Sequence, residues 1–134
     1  MIFYIILVEE INYLYDKKHP IPVCILIRKL LENLIIDIFR KRYGLTDITI
    51  FFDKKQRRFN NFSLLLKTFS EKEADFRHIS SDINNLISKI NRFRENGNAA
   101  AHSIEVDITI DQIESMKADI NYLAKQLISI RQKL

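Results

Sequence analysis

Two long stretches of this chain carry apolar residues at alternating spacings of three and four. Phe76, Ile79, Ile83, Leu86, Ile90 and Phe93 form one series, and Ile113, Met116, Ile120, Leu123, Leu127, Ile130 and Leu134 form the other. An α-helix turns once every 3.6 residues, so each series draws a stripe along one helix face. A half-buried strand would need alternation by two. Two such stripes on one short chain argue for long helices packed side by side at shallow angles. Ser70 and Glu73 have capping-box spacing and predict the start of a helix that continues to about Asn96. Thr109 and Gln112 have the same spacing and open the last helix. Three-four spacing is also that of a coiled-coil seam, so the stripes extend naturally to a homodimer.

The N-terminal half completes an all-α expectation. Ile2 to Tyr15 reads as a first helix, with Ile6, Ile11 and Leu14 among its apolar positions. Asp16 to Pro20 is a polar break, and Pro20 and Pro22 suit a helix entry, where a missing N–H costs nothing. A second helix follows from about Pro22 to Tyr43, with Gly44 as its stop. Cys24, Ile27, Leu31, Leu34 and Ile38 make one strip, and Ile35, Ile36 and Phe39 a second. A helix apolar on most of its circumference belongs in the centre of a fold. Thr46 to Phe62 breaks the helical period. Its Ile48-Thr49-Ile50-Phe51-Phe52 run suits a short strand or extended segment, and Asp53-Lys54-Lys55 a turn. Asn61 is placed to cap a short helix from Phe62 to Phe69. The expected architecture is a four- to five-helix up-and-down bundle with a short irregular or extended insertion near residues 46–62.

Bulk properties narrow the class. The 134 residues suit a single domain, 1–134, with one core. Hydrophobic residues make up 47%, and Gly and Pro number two each, a composition of ordered helical protein and not of a linker. Cys24 has no partner for an internal disulfide, lies in an apolar run and reads as a buried, inert thiol of a reducing compartment. Met1 to Val8 is apolar but lacks a basic leader and a small-residue cleavage site, and Glu9-Glu10 follow at once. The longest apolar stretch, Val23 to Phe39, is interrupted by Arg28, Lys29, Glu32 and Asp37, short of the ~20 residues a membrane span needs. A cytoplasmic protein with no membrane partner is expected. The formal charge of +4 suits an anionic partner such as RNA. His19 and His78 have no ligand-type neighbours at metal spacing, so no metal or cofactor is expected.

The segment from Arg94 to His102 concentrates unusual features. A polar turn, Glu95-Asn96-Gly97-Asn98, is followed by Ala99-Ala100-Ala101 and then His102. Small side chains let another backbone come close. Gly97-Asn98-Ala99-Ala100-Ala101-His102 resembles the Gly-Asn-x-Ala-Ala-His motif of a prokaryotic branch of HEPN-like domains linked to restriction and defence. Ile27-Arg28-Lys29-Leu30-Leu31-Glu32-Asn33-Leu34, with the basic stretch before Gly44, looks like the early helix of such domains. The resemblance runs from about Pro20 to Leu134. It implies an all-helical bundle, frequently dimeric, which in many members is a metal-independent endoribonuclease with an Arg-x4-6-His motif and in others an inactive RNA-binding or assembly module. An antitoxin or another defence protein is the partner such a context implies. The chain departs from the nuclease pattern: seven residues separate Arg94 from His102, and the expected arginine positions hold Glu95, Asn96 and Gly97.

Metal-free RNA cleavage needs a base near the 2′-hydroxyl and a cation at the phosphate, which makes His102 and Arg94 the catalytic candidates. On a continuous helix Arg94, Asn98 and His102 share one drifting stripe; if Gly97 ends the helix they do not. The alternative is structural: His102 packs a tight junction around Gly97, Asn98, Ala100 and Ala101. Arg28 and Glu32, one turn apart in an apolar helix, form an ion pair or orient Arg94 or His102. Lys54, Lys55, Arg57 and Arg58, beside Phe59 and Phe62, are the RNA-binding candidates, since cations hold phosphates and aromatics stack on unpaired bases. The alternative there is a solvated loop whose two Phe anchor it to the core. The leading expectation is a non-catalytic HEPN-like module that dimerises and contacts RNA. A HEPN endoribonuclease and a purely structural partner-binding domain are the two rivals.

Overall fold

A computed structural model describes the backbone of residues 2–102 and 108–134 and the side chains of residues 4–95 and 108–134. Of the described residues 76% are helical. The helices are α1 (Ile2–Asp16), α2 (Pro20–Tyr43), α3 (Phe62–Glu71), the single turn α4 (Glu73–Phe76), α5 (Ile83–His102) and α6 (Ile110–Lys133). Between α2 and α3 lie a 3-10 turn over Ile48–Ile50 and a hairpin of β1 (Phe52–Asp53) and β2 (Arg58–Phe59), paired antiparallel with Phe52 opposite Phe59.

The centre is α2, and every long helix packs against it except α3, which touches it more lightly and leans mainly on α5. Its burial follows from its composition: Cys24, Ile27, Leu31, Leu34, Ile35, Ile36, Ile38 and Phe39 are all buried, on several faces. Burial pushes the Cys24 thiol above its ordinary range, which suppresses the thiolate. The stripes of α5 and α6 close on α2, with Ile83, Ile90, Leu123 and Leu127 sealed from solvent. Ile120 is only partly buried, at the edge of the core. At the other end of the core Phe39, Phe69 and Phe76 meet edge to face, at 5.4 and 5.2 Å between centroids.

Polar tethers set the helix directions. The Tyr4 hydroxyl donates to the Asp37 carboxylate (2.6 Å) and the Asn33 carbonyl (3.1 Å), so α1 runs antiparallel to α2. Arg131 lies 3.6 Å from the same carboxylate, and Lys41 Nζ donates to the Arg131 carbonyl (3.1 Å), so the C-terminal ends of α6 and α2 lie together. Burial, with the Asp37 carboxylate behind it, holds the Tyr4 phenol well above its ordinary range, so its hydroxyl stays a donor. The Tyr43 hydroxyl donates to Asp75 (2.7 Å) and fixes α4 beside the end of α2.

Several local expectations need correction. No single helix runs from Ser70 to Asn96. Ser70 lies inside α3 and its hydroxyl reaches Asn84 Oδ1, while Glu73 pairs with Arg77 at 2.6 Å. The chain leaves helix after Phe76 and re-enters at Ile83, where the Asp82 carbonyl accepts from Leu86. The Ile48–Phe52 run is mostly a 3-10 turn, because Asp47 accepts from the Thr49 amide and hydroxyl. On α1 it is Leu7 that is buried, whereas Ile6 is exposed. Gly44 stays right-handed; its lack of a Cβ matters because that carbon would strike the Arg40 carbonyl. The caps by Asn61 (to Leu64, 2.9 Å) and by Thr109 with Gln112 form as the sequence suggests.

Candidate nucleic-acid interface

Basic side chains gather at the end of the fold where α2 and α6 finish. Arg40, Lys41 and Arg42 occupy the last turn of α2, and Arg131 and Lys133 that of α6. Cations suit helix C-termini, because the last carbonyls carry partial negative charge. The hairpin folds back over this end and adds Lys54, Lys55, Arg57 and Arg58, all exposed. Between Arg40 and Asn60 seven basic residues face only two acidic ones, Asp47 and Asp53.

Both carboxylates are committed to the backbone of their own turns. Asp53 Oδ1 accepts from the amides of Lys55 (2.9 Å) and Gln56 (3.1 Å), which shapes the hairpin loop. Arg57 closes that loop in the left-handed region, at φ 52°. Asp47 accepts from Thr49, and those hydrogen bonds, helped by the charges of Lys54 and Lys72, hold its carboxyl below the ordinary range. Asn60 ties the hairpin exit down through its side-chain amide, to the carbonyls of Thr49 (3.3 Å) and Ile50 (3.2 Å). The cationic heads are therefore displayed on a fixed turn.

The two aromatic residues beside this cluster separate. Phe62 is buried at the start of α3, with the Arg28 guanidinium 5.6 Å above its ring. Phe59 stays on the surface, 42% exposed. Its ring meets Phe52 edge to face at 5.8 Å and lies near Phe51 at 6.5 Å. The Arg40 guanidinium stands 5.4 Å over it. Arg40 was not among the residues singled out from sequence. Its signal was the basic stretch at the end of α2, which becomes part of the surface only because the hairpin folds onto it.

The candidate acid–base pair is placed only in part. α5 is one continuous helix through Gly97 to His102, so Gly97 does not end it, and the positions of Arg94, Asn98 and His102 fall four apart along it. The side chains of Gly97, Asn98, Ala99, Ala100, Ala101 and His102 lie outside the described residues. Arg94 is half-buried; its Nε donates to Asn91 Oδ1 (2.9 Å), and Glu95 lies 3.8 Å away. Arg28 and Glu32 pair with each other at 3.8 Å, both half-buried. The described partner of Glu32 is thus Arg28 and not Arg94. Burial raises the Glu32 carboxyl, opposed by the charges of Arg28 and Lys29. Among the described residues no three His, Cys, Asp or Glu side chains are grouped to hold a metal ion, and no helix is long and apolar enough to cross a membrane.

A concavity of about 410 Å³ lies between α1, α2 and α6. Its floor is apolar, from Val23, Ile27 and Leu30, and Lys117 stands at its rim 5.5 Å over the Tyr15 ring. Asp16 also lines it. Comparison with protein families, curated proteins and solved structures found no match for this chain.

Proposed function

We propose that this chain is a HEPN-like helical module of a prokaryotic defence or toxin–antitoxin system that binds RNA without cleaving it and works as a homodimer. The observation that carries the RNA reading is the basic end of the fold: of seven cations between Arg40 and Asn60 only Arg40 is paired, with Asp37 at 3.5 Å, among the described residues, and Asp47 and Asp53 are turned into hydrogen bonds within their own turns. Such a surface attracts phosphates by releasing their counterions. The dimer reading rests on the outer face of α1, where Ile5 and Tyr13 are 58% and 63% exposed.

Anisotropy with a labelled single-stranded RNA tests the binding. Four phosphate contacts, one for each hairpin cation, give a salt slope of about −3 for a single strand, so affinity should fall about 50-fold from 50 to 200 mM salt. Replacing Lys54, Lys55, Arg57 and Arg58 together by Ala should abolish most of that slope. Salt-independent binding, or none, refutes the reading.

The ribonuclease reading draws support from the continuity of α5, which sets Arg94 and His102 on one helix. Against it stand the seven-residue separation and the engagement of Arg94 by Asn91. Incubation with total RNA in EDTA decides between them. Cleavage by the wild type that is lost in His102→Ala and Arg94→Ala overturns the non-catalytic assignment.

A further inference from the structure

The geometry points to a stacking site for an unpaired base on Phe59, roofed by Arg40, so that the basic end selects single-stranded over duplex RNA. This rests on the RNA reading above and adds the form of the strand. Phe59 is a large apolar ring left 42% exposed among charged neighbours, although the buried Phe51 and Phe62 already anchor the segment on either side of it. A ring needed only for anchoring would be covered like those two. Phe59 is also held firmly: its partner across the ladder is Phe52, and the hairpin exit is tied by Asn60. A rigid, exposed aromatic ring is a platform on which a base can stack at little entropic cost.

Arg40 supplies the second element. Its guanidinium lies over Phe59 and its side chain is about half exposed, at 55%. In the free protein this cation covers the ring face and pairs with Asp37 at 3.5 Å, so a base enters as the half-exposed side chain swings aside, after which the guanidinium stacks on the outer face of the base or takes the phosphate that follows it. Lys54, Lys55, Arg57 and Arg58 then track the backbone on either side. In a duplex both faces of each base are covered by neighbours, so such a platform finds no partner there, and only the phosphate contacts remain.

The chain has no tryptophan, so Phe59→Trp installs a sole indole at the site. Titrating this variant with a single-stranded RNA 12-mer should quench its emission, whereas a duplex of equal length should not. In parallel anisotropy measurements, Phe59→Leu should weaken single-strand binding by about tenfold and leave duplex binding unchanged. Circular dichroism melts of both variants check that the fold is retained. Equal single-strand and duplex affinity, with Phe59→Leu silent and the fourfold hairpin variant still impaired, overturns the stacking site but leaves RNA binding standing. Binding of neither RNA, with a blue shift of the indole on anionic phospholipid vesicles, overturns both and assigns the surface to a membrane.

Discussion

Asp37 joins three helices and invites the sharpest test of the packing. Its carboxylate accepts from the Tyr4 hydroxyl of α1 at 2.6 Å and faces Arg131 of α6 at 3.6 Å and Arg40 of its own helix at 3.5 Å. Asp37→Ala removes all three. A hydrogen bond to a charged acceptor contributes about 1.5–3 kcal/mol. The Arg131 pair, with side chains 35% and 21% exposed, adds ~0.5 kcal/mol after solvent screening, and the more exposed Arg40 pair adds less. The Arg131 Nε is itself buried, so withdrawing its carboxylate leaves it poorly compensated. Asp37→Ala should therefore cost about 2–4 kcal/mol in urea denaturation. Asp37→Asn keeps an acceptor for Tyr4 and should cost about 1–2 kcal/mol. A double-mutant cycle with Tyr4→Phe isolates the α1 tether and should show coupling of about 1 kcal/mol or more. Asp37→Ala within 0.5 kcal/mol of wild type, or no coupling to Tyr4, would show that the network does not hold α1 in place.

Leu123 is sealed from solvent in α6, so Leu123→Ala should cost about 2–5 kcal/mol, read from denaturant midpoints. Burial raises the Glu32 carboxyl above its ordinary 4.5, so the folded state holds that proton more tightly than the unfolded chain does. Its contribution is favourable below pH 4.5 and is lost as pH rises through the folded value; Glu32→Gln should flatten the stability profile over that window, and an unchanged profile argues against it. Light scattering should give a dimer mass for the wild type and a monomer mass for Tyr13→Glu, and a monomer at all concentrations would end the dimer reading.

The helical class was legible because burial of α2, α5 and α6 follows directly from residue spacing. Asn61 and Thr109 were legible as caps because each acts within three residues of itself. What misled was phase. Phe76, Ile79 and Ile83 keep three-four spacing straight across a break in the helix, since all of them reach the core from a turn as readily as from a helix. The Ser70–Glu73 spacing then supplied a false start: Ser70 was already helical, and Glu73 found Arg77. Phe59 and Phe62 could not be told apart from sequence, because their exposure depends on which side of Asn60 the chain turns inward. The basic cluster was visible as a run, but its union with Arg40 depends on a fold-back that no local pattern encodes.

The hairpin is a detachable surface in evolutionary terms. Phe51 and Phe62 are buried at its two ends, and no residue between them is buried. Substitutions or insertions among residues 54–58 therefore leave the helical core untouched, while Phe52, packed against that core, and Asn60 keep the ends pinned. Recognition can drift at that site much faster than architecture, so relatives of this chain should differ most there. A laboratory library confined to that turn should yield new specificities at almost no cost in folding.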